Sequence, residues 1–137
     1  MKKIKLLLVA VMLYGTCAIA QTEDKAKVVI MRETGFTGTA TSSTIYMNGE
    51  EIFKLPNNRY FEMYIDEGNY NFSAKLVFAG KKKGEELIKI KAEKNNTYYL
   101  QVKIQSGAIT SKIYLEEITK NTFENKVSGL KKLEKDN

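Results

Sequence analysis

The sequence contains no histidine and no tryptophan, and its 137 residues include a single cysteine, Cys17, and a single proline, Pro56. Histidine is the usual general base near neutral pH and a common metal ligand, while cysteine thiolates are nucleophiles and zinc ligands. A Ser-His-Asp triad is therefore excluded. If Cys17 is removed during export, a thiol nucleophile, an ordinary zinc site and a disulfide are excluded as well. We expect no catalytic residues, no metal and no cofactor.

The N-terminus has the pattern of an export signal. Three lysines lie among the first five residues, an apolar run follows over residues 6–14, and the Ala-Ile-Ala sequence at 18–20 suits signal peptidase. The run is shorter than the about 20 residues that a transmembrane helix needs. We therefore expect a signal peptide over residues 1–20. The mature chain then begins at Gln21 and is exported: periplasmic, outer-membrane-associated or secreted.

Cys17 leaves a second interpretation of the N-terminus open. Bacterial lipoproteins are cut just before a cysteine that carries the lipid, usually after Leu-x-(Gly or Ala), but here Tyr14-Gly15-Thr16 precedes it. We therefore favour loss of Cys17 with the signal. Removing residues 1–20 also removes three lysines from a chain of net charge +6. The positive charge that stays is spread along the chain and does not indicate a nucleic-acid partner.

Most of the remaining chain alternates apolar and polar residues over short runs that are separated by Gly and Asn, which is typical of strands and turns. The runs cover residues 27–32, 44–48, 50–55, 59–65, 70–78, 86–92, 97–104 and 111–118. One-sided alternation is typical of antiparallel sheets with one solvent-facing surface. We predict an all-β fold over residues 21–118: an antiparallel β-sandwich of seven or eight strands, Ig-like or transthyretin-like.

The last part of the chain changes period. An apolar residue recurs at helical spacing, at Phe123, Val127, Leu130 and Leu133. This pattern predicts a C-terminal amphipathic helix within residues 119–137 that packs on or flanks the sandwich. Asn121, with Glu124 three residues later, resembles a capping-box start. Gly129 costs about 1 kcal/mol relative to alanine inside such a helix.

Turns in the central stretch, residues 45–72, decide which side chains share a face. Asn48-Gly49 is a strong hairpin signal because both residues tolerate positive φ. It places Met47 opposite Glu50 and Ile45 opposite Ile52. A second hairpin turn at 57–58 would place Leu55 opposite Tyr60. The predicted core face is then Ile45, Met47, Ile52, Phe61, Met63 and Ile65.

The opposite face of the same strands collects a predicted aromatic patch: Tyr46, Phe53, Leu55, Tyr60 and Tyr64. An exposed patch of this kind needs a cover or a partner. The C-terminal helix could cover it, or the register or strand adjacency could differ so that these residues are ordinary core. As a third interpretation, the patch binds an envelope glycan, peptide or protein. We favour the helix as the cover.

The stretch from Met31 to Phe72 resembles the bacterial domain-of-unknown-function family 2846. The residues that fit its pattern are Arg32, Phe36, Gly38, Asn48, Gly49, Leu55, Tyr60, Phe61 and Gly68. Glu67 stands where that family prefers proline. The resemblance covers residues 26–118, and a similar rhythm of turns occurs in PEGA-like and transthyretin-like sandwiches. It implies an exported β-sandwich, often lipid-anchored in relatives, and it brings no activity and no catalytic residues.

Pairs of neighbouring carboxylates at 50–51, 66–67, 85–86 and 116–117 raise an alternative function, a carboxylate-based hydrolase acting on glycans. Neighbours in a strand point to opposite faces, and most of these pairs flank turns. We therefore favour solvated turn charges. A hydrolase would need a cleft in which two acids face each other and one has a raised pKa.

Two loops are further candidate sites. Residues 34–44 are rich in Thr, Ser and Gly, and form a candidate binding loop with Phe36, Thr37 and Thr39. The three lysines at 81–83 could attract anionic lipid or polysaccharide, or could discourage edge pairing. Taken together, the sequence predicts an exported, non-enzymatic module of the cell envelope with a binding or structural role.

Overall fold

The computed structural model describes residues 24–35, 41–76, 86–106 and 111–134. These ranges hold nine β-strands and one helix, and the all-β fold is confirmed. The strands are β1 (Ala26–Arg32), β2 (Ser43–Met47), β3 (Glu50–Leu55), β4 (Arg59–Ile65), β5 (Gly68–Leu76), β6 (Ile88–Ala92), β7 (Thr97–Ser106), β8 (Ser111–Ile118) and β9 (Lys131–Lys132). The helix, α1 (Lys120–Val127), lies between β8 and β9. All eight predicted strands are present, and β9 is additional.

The strands form two sheets. Sheet A has the order β8-β7-β1-β4-β9, and sheet B has the order β3-β2-β5-β6. The predicted β-sandwich is confirmed, and most of its strand pairs are antiparallel, but β1 runs parallel to β7 and β9 runs parallel to β4. Both parallel partners are distant in sequence, so no tight hairpin has to join them. β1 is central in sheet A and is buried on both faces, which explains its continuous apolar sequence VVIM.

The two predicted hairpin turns have different outcomes. Asn48 and Gly49 have φ values of 53° and 85°, and Met47 pairs with Glu50, as predicted. Ile45, however, pairs with Phe53 instead of Ile52, because a bulge interrupts the ladder between Ile45 and Tyr46. The second hairpin was wrong, since residues 56–58 carry the chain from β3 in sheet B to β4 in sheet A.

The main core lies between the sheets. Its fully buried members include Val28, Ile30, Phe72, Leu100 and Val102. The six residues of the predicted core face also pack in this cluster, two of them buried and four partly buried. Their position in the core is confirmed, although β2 and β3 contribute three of them from sheet B and β4 contributes the other three from sheet A.

Helix α1 begins and ends at residues other than those the sequence suggested. Thr119 is its N-cap, and the Thr119 hydroxyl accepts a hydrogen bond of 3.1 Å from the Thr122 backbone N–H. The prediction of Asn121 as the cap was therefore wrong. The helix ends at Val127, so Leu130 and Leu133 lie in the extended segment around β9. With eight residues, α1 is not long enough to cross a membrane, and it is the one helix in the described ranges.

Candidate functional site

The five residues of the predicted aromatic patch do not share one face. Leu55 is fully buried, and Phe53 packs in the main core. Tyr60 lies beneath α1, whereas Tyr46 lies below the ammonium group of Lys75, 4.5 Å from its ring centroid. Tyr64 is 49% exposed. Two causes separate them: the bulge places Phe53 on the same face as Ile45, and β3 and β4 belong to different sheets.

Helix α1 covers the outer face of sheet A. Phe123 is 9% exposed and packs against Val29 and Met31 of β1. Its ring lies 5.5 Å from the ring of Tyr60 and 5.2 Å from that of Tyr99, centroid to centroid. Of the predicted patch, the helix therefore covers Tyr60. The surface that the helix covers belongs to β1, β4 and β7. This contact stabilises the fold and leaves no binding surface there.

A lateral groove of about 820 Å³ opens between the edge of sheet B and the edge of sheet A. Its floor is apolar and partly exposed, and consists of Met47, Ile52, Phe53, Phe61, Met63 and Leu133. The rings of Phe53 and Phe61 lie 4.2 Å apart and join the two sheets at the bottom of this groove. Tyr64 also lines it. Among the predicted patch residues, Phe53 and Tyr64 are thus brought together here, and the other three are not.

Charged side chains form the rim of the lateral groove. One of them, Glu62, is bound by two lysines. One carboxylate oxygen lies 2.9 Å from the Lys27 Nζ and the other lies 2.9 Å from the Lys132 Nζ. Burial by itself raises the pKa of Glu62, but the hydrogen bonds and charges of the two lysines outweigh it and lower the pKa. The hydrogen bond between Glu62 and Lys132 also raises the pKa of Lys132. Glu62 is therefore held ionised, whereas a general acid needs a raised pKa.

Two other carboxylates, Glu51 and Glu134, lie on the rim, and the charge of Glu134 adds to the hydrogen bond and charge of Glu62 in raising the pKa of Lys132. Neither forms an ion pair with any residue in the described part of the chain. Both side chains are exposed and line the lateral groove. The rim therefore carries charges of both signs beside an apolar floor, since Lys132 also lines the groove.

Arg32, one of the residues that carried the family resemblance, is fully buried at the end of β1. Its guanidinium donates hydrogen bonds to the Thr41 and Leu55 carbonyls, the latter at 3.0 Å. Burial lowers its pKa. Asn57 acts nearby in a similar way: its side chain accepts from the Thr34 backbone N–H at 2.9 Å and donates to the Gly35 carbonyl at 2.9 Å. Both side chains therefore stabilise the connection between β3 and β4, where the chain passes from sheet B to sheet A.

The predicted binding loop residues Phe36, Thr37 and Thr39 lie outside the described residues, as do the signal segment, Cys17 and the lysines at 81–83. Within the described ranges, no group of three or more acidic, histidine or cysteine side chains is arranged to hold a metal ion. The neighbouring acids there are exposed, and some are paired with single lysines, such as Asp66 with Lys25 at 3.2 Å.

A family model described as a protein of unknown function, DUF2846, matches residues 22–115. The chain belongs to this family. The resemblance drawn from the sequence is thereby confirmed, and no curated protein matches the chain. The DUF2846 match contains β3 and β4, which form most of the lateral groove. It ends before α1 and β9, so Lys132, Leu133 and Glu134 belong to a part of the groove outside the match.

Sequence reasoning missed the lateral groove and the partners of Glu62. The groove exists because β3 and β4 occupy the same lateral side of two different sheets, which alternation along single strands does not reveal. The pairing of Glu62 with Lys27 follows from the neighbouring positions of β1 and β4, and its pairing with Lys132 follows from β9. Asn57 gave one signal that sequence reasoning could have used, because asparagine side chains in turns often form hydrogen bonds with the backbone.

Proposed function

We propose that this chain is an exported, non-enzymatic β-sandwich module of the cell envelope that binds a partner. The observation that supports the binding role best is the lateral groove, in which core aromatic side chains are partly exposed between two sheet edges. Concave apolar surfaces with a few polar groups at the rim are the usual form of a binding site. The groove is open and shallow enough to receive a chain segment or a flat ligand.

The position of the acids supports the non-enzymatic part of the proposal. A glycosidase needs two facing carboxyl groups, one of them with a raised pKa. In the lateral groove, Glu62 has a lowered pKa and is bound by two lysines. Incubating the purified protein with envelope glycans should therefore release no reducing sugar. Sugar release that disappears in the Glu62→Gln variant would overturn this part of the proposal.

The N-terminal pattern supports export, and the location can be tested directly. The full chain with a C-terminal tag is produced in a bacterial host, and the cytoplasmic, periplasmic, membrane and medium fractions are separated. We expect the protein outside the cytoplasm, with an intact mass that begins at Gln21. The Cys17→Ala variant is the matched control and should give the same mass and location. A lipid-modified chain that begins at Cys17, or an uncleaved chain in the cytoplasm, would contradict the proposal.

A further inference from the structure

Strand β3 is an edge strand of sheet B. It pairs with β2 on one side, and no described strand pairs with its other side. Its six residues extend over about 20 Å. The backbone N–H and C=O groups along such an edge are a template for another strand.

A bulge places two side chains of opposite charge on the same face of this strand. Glu51 pairs with Tyr46 of β2, and Lys54 pairs with Thr44. Tyr46 and Thr44 lie on either side of Ile45, which is in the main core, so both point to the outer face of sheet B. Glu51 and Lys54 therefore share that outer face, and both are exposed. In a strand without a bulge, residues three positions apart point to opposite faces.

The middle of β3 is apolar on the side of the lateral groove. Phe53 pairs with Ile45, and both Ile52 and Phe53 pack against the main core. Each of these two residues is only partly buried and lines the groove. The edge therefore carries two apolar residues between an acidic residue and a basic one.

This order of side chains makes β3 complementary to itself. When two copies of the strand run antiparallel about a two-fold axis between Ile52 and Phe53, each Glu51 lies opposite Lys54 of the other copy. Each Ile52 then lies opposite Phe53. Because Glu51 and Lys54 share one face, both members of each charged pair lie on the same side of the joined sheet. Opposite charges and apolar side chains stabilise a sheet when they face each other across neighbouring strands.

The other charges of the strand agree with this pairing. Glu50, at the start of β3, lies opposite the uncharged Leu55, so no like charges face each other across the two copies. Neither Glu51 nor Lys54 forms an ion pair with a described residue of its own chain. Each can therefore pair with the second copy without breaking an existing ion pair.

We propose that two copies of this chain form a dimer through β3, with the two four-stranded B sheets joined into one continuous sheet. Each protomer contributes the same surface, as in two-fold dimers generally. Backbone hydrogen bonds join the two strands, and the pairs of Glu51 with Lys54 fix their register. This inference goes beyond the proposed function and does not depend on it, because a monomer would still carry the lateral groove.

Other occupants of β3, and the other edge of sheet B, fit less well. A partner segment whose charged side chains all have one sign would meet a like charge at either Glu51 or Lys54. Charges and bulges at sheet edges commonly prevent pairing with foreign strands in this way. On β6, the second edge of sheet B, an antiparallel copy centred on Ile90 would place Lys89 opposite Lys91, and like charges destabilise such a pair. Of these two edges, β3 is the one that complements itself.

Analytical ultracentrifugation of the purified protein over a range of concentrations measures the dimer. We expect a reversible equilibrium between monomer and dimer. Glu51→Lys and Lys54→Glu should each raise the dissociation constant about tenfold or more, because both charged pairs then become pairs of like charge. Lys89→Glu, at an exposed position of β6, is the matched control and should leave the dissociation constant unchanged.

A mixture of the two variants distinguishes charge pairing from damage to the fold. When a Glu51→Lys chain pairs with a Lys54→Glu chain, every facing pair again has opposite charges, so the mixture should dimerise about as tightly as the parent protein. Hydrogen exchange followed by mass spectrometry locates the interface. The backbone amides of β3 should exchange more slowly as the dimer forms, whereas those of β6 should not change.

A monomer at every concentration, a dimer that neither single variant weakens, or a mixture of variants that does not pair overturns the inference. Dimerisation that appears only after deletion of residues 135–137 also overturns it, because the chain's own end then occupies β3. Binding of a basic or an acidic peptide to β3 in a protein that stays monomeric has the same consequence, since the edge then belongs to a different partner. Export and the absence of hydrolysis are measured separately and do not depend on these outcomes.

Discussion

The ring of Phe123 in helix α1 meets the ring of Tyr60 in strand β4 edge-on, with the ring centroids 5.5 Å apart. The same phenylalanine contacts Tyr99 of β7, so one side chain spans the outer face of sheet A. Eight residues are too few for a helix that is stable by itself in water. The helix is therefore held in place by this packing, and the packing depends on Phe123.

Phe123→Ala should lower the free energy of unfolding by about 3 kcal/mol, because it removes a buried aromatic side chain and leaves a cavity. Chemical denaturation followed by circular dichroism measures the change. Asn125→Ala, on an exposed position of the same helix, is the control and should stay within about 0.5 kcal/mol of the parent. If the two variants are equally stable, the helix is not anchored as described.

Thr119→Ala should cost about 1 kcal/mol, because its hydroxyl caps the helix by accepting from the Thr122 N–H. Asn121→Ala should have little effect, since Asn121 is an exposed residue in the first turn. Unfolding midpoints of the two variants compare the observed cap with the one suggested by the capping-box pattern. A larger loss for Asn121→Ala would contradict the helix start at Lys120.

The sequence predicted strand positions well because period-two alternation is a property of each strand by itself. All eight predicted strands occur, and the aliphatic set that includes Ile45 and Phe61 points to the core. Which strands are neighbours is a different property. The alternation of β1 does not show that it lies between β7 and β4, and nothing in the turn at 57–58 shows that the chain changes sheets there.

The location of the candidate site depends on which strands are neighbours, and the sequence does not show this. Placing Phe53 and Tyr60 on one face required β3 and β4 to be adjacent in one sheet and the ladder to be regular. Instead, a single extra residue at the bulge changes the face of Phe53, and Tyr60 lies in the other sheet under the helix. The groove that replaces the patch is a relationship between two sheet edges, so it follows from the packing of the sheets.

Gly49→Ala should destabilise the protein by about 1 kcal/mol, because Gly49 has a φ of 85° that side chains with a Cβ rarely adopt. An added Cβ would meet no atom within 4 Å, so backbone strain alone is responsible. Gly129→Ala is the matched control: it has no positive φ, and its Cβ would make ordinary contact with the Lys126 carbonyl at 3.7 Å. Thermal unfolding should rank Gly49→Ala below Gly129→Ala, and the reverse order would contradict the turn at Asn48-Gly49.

The ion pairs of Glu62 predict a pH dependence of stability. The pKa of Glu62 in the folded chain lies below its ordinary value of 4.5, because Lys27 and Lys132 outweigh the effect of burial. Its ionised form therefore stabilises the fold above that ordinary value, and this contribution is lost as the pH falls through the lowered pKa. Glu62→Gln cannot titrate, so it should be less stable than the parent near neutral pH.

The difference in unfolding free energy between the parent and Glu62→Gln should therefore shrink as the pH falls from about 6 to about 3. Denaturant unfolding at a series of pH values measures it at constant ionic strength, since salt screens exposed ion pairs. Glu117→Gln is the control, because Glu117 is exposed and forms no ion pair with the described residues. A Glu62→Gln difference that stays constant across this range would show that the two lysines do not hold Glu62 ionised in the folded protein.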